Sequence, residues 1–128
     1  MGTQNLPNKR RSAILRVETF QLSCSGCKPD VLNNSDIIRR MLKKVSSLAN
    51  FTPIFCKIHP FPSQGLTGYI ILAESHIAIH TWPEYEFATL NIQTCKAQTQ
   101  LRKVISHIKR TLCARKIKTT HTKLVKRF

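Results

Sequence analysis

Apolar and polar positions partly alternate from Ile14 to Leu22, a two-residue period that predicts a β-strand. The polar cluster Ser23 to Asn34 then predicts a loop. From Asp36 the period lengthens. Ile37, Ile38, Met41, Leu42, Val45 and Leu48 share one helical face, while Arg39, Arg40, Lys43 and Lys44 take the other. Asn34 or Ser35 suits the N-cap, where a side-chain oxygen accepts from a free first-turn amide.

After Asn50 the pattern returns to strands over Pro53 to Ile58, Thr67 to Ala73, His76 to Thr81 and Phe87 to Thr94. Leu101, Val104, Ile105, Ile108 and Leu112 recur at helical spacing and predict a second helix from about Ala97 to Ala114. A last short strand is expected over Lys116 to Thr120. Short spacers between the middle strands favour antiparallel neighbours, because parallel strands need long crossovers. The expected fold class is α/β in the α+β sense: a single two-layer sandwich, a mostly antiparallel sheet with two helices on one face. Residues 1–12 are polar, basic and aperiodic, and are expected to form a flexible tail ahead of a domain spanning 13–128.

Composition changes the picture in one respect. The chain of 128 residues carries 21 Lys and Arg against 6 Asp and Glu, a formal charge of +15 that attracts anions, nucleic acid or acidic membrane. No apolar run approaches the roughly 20 residues of a membrane span, and the segment MGTQNLPNKRRS is unlike a signal peptide, so a cytoplasmic protein is expected. In that reducing setting the cysteines at 24, 27, 56, 95 and 113 are expected as free thiols. Cys24 and Cys27 form a single Cys-x-x-Cys pair with no second pair or nearby His, a weak signal for zinc.

Reactive groups concentrate between Thr67 and Cys95: the Thr67 hydroxyl, then Glu74, Ser75, His76, His80, Glu84 and Cys95. Taken singly, each has an ordinary explanation. A Ser at a strand start is a turn residue, a His in an apolar strand is structural, and a lone Cys packs as a small hydrophobe. As a set, residues 63 to 95, SQGLTGYIILAESHIAIHTWPEYEFATLNIQTC, closely resemble the signature of the prokaryotic S-adenosylmethionine decarboxylases. The most specific stretch is LAESHIAIHTWPEY, and weaker similarity runs outward through GCKPDVLNN (26 to 34), HPFPSQG (59 to 65) and both helices.

That resemblance implies a self-cleaving enzyme. The Ser75 hydroxyl would attack the carbonyl of Glu74, turning the peptide bond into an ester. Elimination would then give fragments 1–74 and 75–128, the second beginning with a pyruvoyl group made from Ser75. No metal and no pyridoxal phosphate are expected, since this ketone forms a Schiff base with the substrate and serves as the electron sink that side chains lack. By the same resemblance His80 is the processing base, suited as an imidazole to proton removal, Thr67 the processing hydroxyl, and Cys95 the proton donor. Phe61 would stack on adenine and Glu84 accept from the ribose hydroxyls. The implied substrate is S-adenosylmethionine, its product the aminopropyl donor for spermidine synthesis, and the implied assembly a homodimer of cleaved αβ protomers with active sites near the shared interface.

Relatives acting on arginine or ornithine tend to lose the Phe-Pro-x-Gln-Gly stretch present here at 61 to 65. Other positions depart from the family pattern. Thr67 stands where Ser is general and has a stiffer χ1; Asn91 and Ser23 replace acidic residues, and Lys96 a Gly. Decarboxylation of arginine or ornithine is the nearest alternative. A further one, of another class, is a basic nucleic-acid-binding protein on an inactive decarboxylase fold, using Lys103, Lys109, Arg110, Arg115 and Lys116 on phosphates.

Overall fold

β-Branched and aromatic residues dominate the strands of a six-stranded sheet in which all pairings are antiparallel. The computed structural model describes residues 13–73, 75–97 and 100–128. In chain order the elements are β1 (Ile14–Ser25), α1 (Pro29–Leu32), α2 (Ser35–Leu48), β2 (Pro53–Pro60), β3 (Leu66–Leu72) and β4 (Ser75–Trp82). A 3-10 turn (Pro83–Tyr85) leads into β5 (Phe87–Thr94), α3 (Leu101–Leu112) and β6 (Lys116–Arg127). The strand order β2-β3-β4-β5-β1-β6 puts β1 inside the sheet, between β5 and β6.

One sheet face carries Leu22, Ile70, Ile77, Ile79 and Leu90, all fully buried beneath α2 and α3. The helices answer with Ile38, Met41, Leu42 and Val45 from α2 and Val104, Ile108 and Leu112 from α3. Asn34 caps α2, its side chain accepting from the Ile37 amide at 3.0 Å. The two-layer α+β sandwich is therefore as expected, with the short α1 in addition. Among the described residues no helix is long and apolar enough to cross a membrane.

Three sequence expectations need correction. The segment 23 to 34 is not one loop: β1 runs on to Ser25, and Pro29, favoured in a first helical turn, starts α1. Cys24 is buried while Ser25 is exposed, an alternation that small polar residues conceal. The last strand extends to Arg127, because its partner is the whole length of β1 and not an apolar pattern of its own. The second helix begins at Leu101 and ends at Leu112, where Cys113 turns left-handed at φ 54°. The tail expected over residues 1–12 lies outside the described residues, as does Glu74 of the expected cleavage junction.

Candidate active site

The open face of the sheet holds the first group of candidate residues. Thr67 on β3 pairs directly with His80 on β4, and the Thr67 hydroxyl lies 2.9 Å from His80 Nδ1. Trp82, on the same face two residues on, packs 6.2 Å from the His80 ring and 5.8 Å from Phe87. Thr67, His80 and Trp82 line a cleft of about 410 Å³ with Phe61, Gln64 and Glu84. That volume is within the range of small-molecule sites. Phe61 is 47% exposed and meets His59 edge-on at 5.1 Å.

The turn bearing Phe61 is held by residues that sequence reasoning did not single out. Asn33 Oδ1 accepts from the Gly65 amide at 2.8 Å, and the Phe61 amide donates to the Gly65 carbonyl at 2.9 Å. Gly65 has φ +87°, and a Cβ there would meet the Thr81 carbonyl oxygen at 2.8 Å, so the turn tolerates only glycine. The buried Thr81 hydroxyl donates to the Leu32 carbonyl and accepts from the Leu66 amide, each at 2.9 Å. Thr81 was detectable as a hydroxyl on the core side of an alternating strand; Asn33 had no signal distinguishing it from any loop residue.

A second group lies at the other end of β4. Ser75 is the first residue of the strand, and its hydroxyl donates to Thr94 Oγ1 at 3.1 Å. Thr94 is buried and also accepts from the Lys96 amide at 2.9 Å. Cys95 follows as an exposed free thiol, beside Ala73, Asn50 and Lys96 in a cleft of about 390 Å³. The Lys96 ammonium donates to the Asn50 carbonyl at 2.8 Å.

One chain thus gathers Phe61, Thr67, His80 and Glu84 at one end and Ser75 with Cys95 at the other. Five residues of extended strand, about 3.3 Å each, put Ser75 about 16 Å from His80. The two also start from opposite faces, since His80 pairs with Thr67 on the open face and Ser75 with the buried Thr94.

Cys24 and Cys27 stand apart from both groups. Burial, with the neighbouring Cys27 second, pushes the Cys24 thiol up to about 12. Burial, then Cys113 and Glu86, pushes Cys27 up to about 11. Both are core thiols, Cys27 donating to the Cys24 carbonyl at 3.6 Å. Among the described residues no group of three or more His, Cys, Asp or Glu is placed to hold a metal.

The S-adenosylmethionine decarboxylase proenzyme of Clostridium botulinum (strain Loch Maree) is 38% identical over 91 residues, 71% of this chain and 78% of that protein. The proenzyme of the same name from Thermococcus kodakarensis is 33% identical over 108 residues, 84% of this chain and 73% of its own. The crystal structure of adenosylmethionine decarboxylase from Aquifex aeolicus superposes with a TM-score of 0.76 at 28% identity, covering 86% of this chain and 91% of that one. Residues 19–124 match the family described as S-adenosylmethionine decarboxylase, and with relatives this similar over most of their length the chain belongs to that family.

Proposed function

We propose that this protein is a cytoplasmic, self-processing decarboxylase of S-adenosylmethionine whose reactive carbonyl is made from Ser75. The observation that carries this is the position of Ser75 at the start of β4, after the turn from β3, in a sheet whose halves interleave. A break before Ser75 leaves β1 of the first fragment held between β5 and β6 of the second. Cleavage there keeps the fold.

The Ser75 hydroxyl attacks the carbonyl of residue 74, and the acyl group moves from nitrogen to oxygen. Removal of the Ser75 Cα proton then expels fragment 1–74 as a carboxylate, and hydrolysis of the remaining enamine releases ammonia and leaves the ketone. A pyruvoyl group supplies an electron sink for the carbanion left by departing CO₂. Cys95, exposed beside Ser75, holds the proton that quenches this carbanion. Phe61 and Glu84 bind adenine and ribose, and the product supplies aminopropyl groups for spermidine synthesis.

His80 serves as the base, held by Thr67; lying about 16 Å along the strand from Ser75 of its own chain, it acts on the Ser75 of a second copy. The open sheet face is suited to receive one: Phe55, Tyr69, Ile71 and Trp82 are 53%, 37%, 42% and 38% exposed on it. A two-fold stacking of these faces lays the Ser75 end of each protomer toward the His80 cleft of its partner, making a homodimer with two composite sites. Intact-mass spectrometry of purified protein, followed by CO₂ release from S-adenosylmethionine, arginine and ornithine, tests this. Two fragments and release from S-adenosylmethionine are expected. A chain that stays whole, with no carbonyl reactive toward hydrazine, overturns the enzyme assignment; release from arginine or ornithine alone overturns the substrate.

A further inference from the structure

The decarboxylase chemistry makes no use of the +15 charge, and four of the 21 Lys and Arg line one groove. α2 and α3 pack side by side. Between them runs a groove of about 400 Å³ lined by Lys44, Arg102, Lys103, Ser106, His107 and Arg110, with Leu48 as its apolar floor. Within α3 there is no acidic residue, and the single one in α2, Asp36, is already paired with Arg39 at 3.2 Å. Four exposed cations therefore share the groove with no carboxylate from either helix to neutralise them.

We propose that this groove binds the phosphodiester backbone of a nucleic acid, without reading its sequence. Arg102, Ser106 and Arg110 follow one another at four-residue spacing along α3, about 6 Å per step. Such a row suits a ligand whose charges repeat at fixed intervals. The Arg110 guanidinium donates to Ser106 Oγ at 2.8 Å, which holds it along the row. His107 is pushed down by burial and then by Arg110 and Lys44, so cations from both helices act on one point of the groove.

Neither helix carries a Phe, Tyr or Trp to stack on a base, or an Asn or Gln to pair with adenine, so backbone contacts from the cations dominate. The surface lacks what a bilayer needs, since none of the large exposed hydrophobic residues lies on α2 or α3. The helix layer is opposite the open sheet face, so the groove stays accessible when two copies stack through their sheets. The lysines of β6 have a different explanation, as charges that protect a sheet edge from further pairing.

The test is fluorescence anisotropy of labelled mixed-sequence oligonucleotides, single-stranded RNA and duplex DNA, with full-length protein across a salt series. Wild type is expected to bind both, and the triple variant Lys44→Gln/Arg102→Gln/Arg110→Gln to bind about ten-fold more weakly near 0.15 M salt. On single strands its slope of log affinity against log salt should shrink by about 2, the loss of three contacts at about 0.7 each. Lys116→Gln/Lys118→Gln/Lys126→Gln removes equal charge and should change affinity less than about three-fold. On unmodified protein, bound oligonucleotide should protect Lys44 and Lys103 from acetylation, a readout that needs no variant. The proposal is overturned if both triple variants lose affinity equally, if neither lysine is protected, or if anionic vesicles or pyrophosphate bind in the groove while oligonucleotides do not. Self-cleavage and decarboxylation are separate readouts, since none of these residues lies in either catalytic group.

Discussion

Thr67 and His80 face each other across the β3–β4 ladder, with the threonine hydroxyl 2.9 Å from His80 Nδ1. This contact orients the ring. In the tautomer that donates Nδ1–H to Thr67, Nε2 is left bare as the acceptor that a base requires. Thr67→Val keeps the shape and removes the partner, so appearance of the two fragments should slow by about 10-fold or more, while Thr67→Ser processes normally. His80→Ala should lose the 10² to 10⁴-fold that a general base typically contributes. Gel densitometry of fragment formation over time measures all three; equal processing by Thr67→Val and wild type would remove the hydroxyl from the scheme.

The separation of Ser75 from His80 along one strand makes a complementation experiment decisive. Ser75→Ala and His80→Ala should each stay whole when expressed alone. Co-expressed, they should form mixed dimers in which the His80→Ala chain, with its serine intact, is cut by the partner's histidine. Mass spectrometry of differently tagged chains distinguishes this from cleavage within one chain, which would leave both proteins whole in the mixture.

Phe61 stands half-exposed at the mouth of its cleft, on a turn anchored by Asn33 and Gly65. Stacking contributes about 1 kcal/mol beyond area burial, so Phe61→Ala should raise KM for S-adenosylmethionine about five-fold with self-cleavage unchanged. Asn33→Ala releases the turn without touching substrate and should raise KM in the same direction. Steady-state CO₂ release on fully processed protein measures both.

Cys95 is an exposed thiol, so Cys95→Ala should leave the melting temperature nearly unchanged. If its proton quenches the carbanion, kcat should fall by about 10² to 10⁴-fold, and the variant should inactivate during turnover as protonation goes astray. Turnover is to be measured on protein already shown to carry the carbonyl. Retention of more than about a tenth of wild-type kcat would take Cys95 out of the reaction.

The buried thiols set a limit at alkaline pH. The core raises Cys24 from 9.0 to about 12 and Cys27 from 9.0 to about 11, because it holds the neutral form. Their contribution is complete below pH 9, the unfolded value, and is lost as pH rises through the folded values. Unfolding free energies from urea titrations should therefore fall as pH rises from 9 to 11, by at most on the order of 1 kcal/mol per pH unit for each thiol. The double variant Cys24→Ala/Cys27→Ala should start less stable and show a flatter profile. Identical slopes for variant and wild type would count against the assignment.

The local elements of this protein and its family were legible in the sequence. The apolar spacing of Ile38, Met41, Leu42 and Val45 determined α2, and the two-residue alternation of Phe87 to Thr94 placed β5 at its observed bounds, because each element buries one face and its period records which. The stretch LAESHIAIHTWPEY likewise identified the family, since its reactive residues lie close together in sequence. Long-range pairing left no such trace. β6 is almost entirely exposed and exists because β1 offers it a full length of backbone partners, a donor-and-acceptor match that carries no side-chain pattern. The anchoring of Gly65 by Asn33, the contact of Ser75 with Thr94 and the gathering of cations from α2 and α3 were equally invisible, for they join residues far apart in the chain. The strand expected over His76 to Thr81 already spread His80 away from Ser75, but only the pairing of β4 with β3 and β5 extends it through Ser75, holding the two about 16 Å apart, because the partner strands supply the backbone hydrogen bonds.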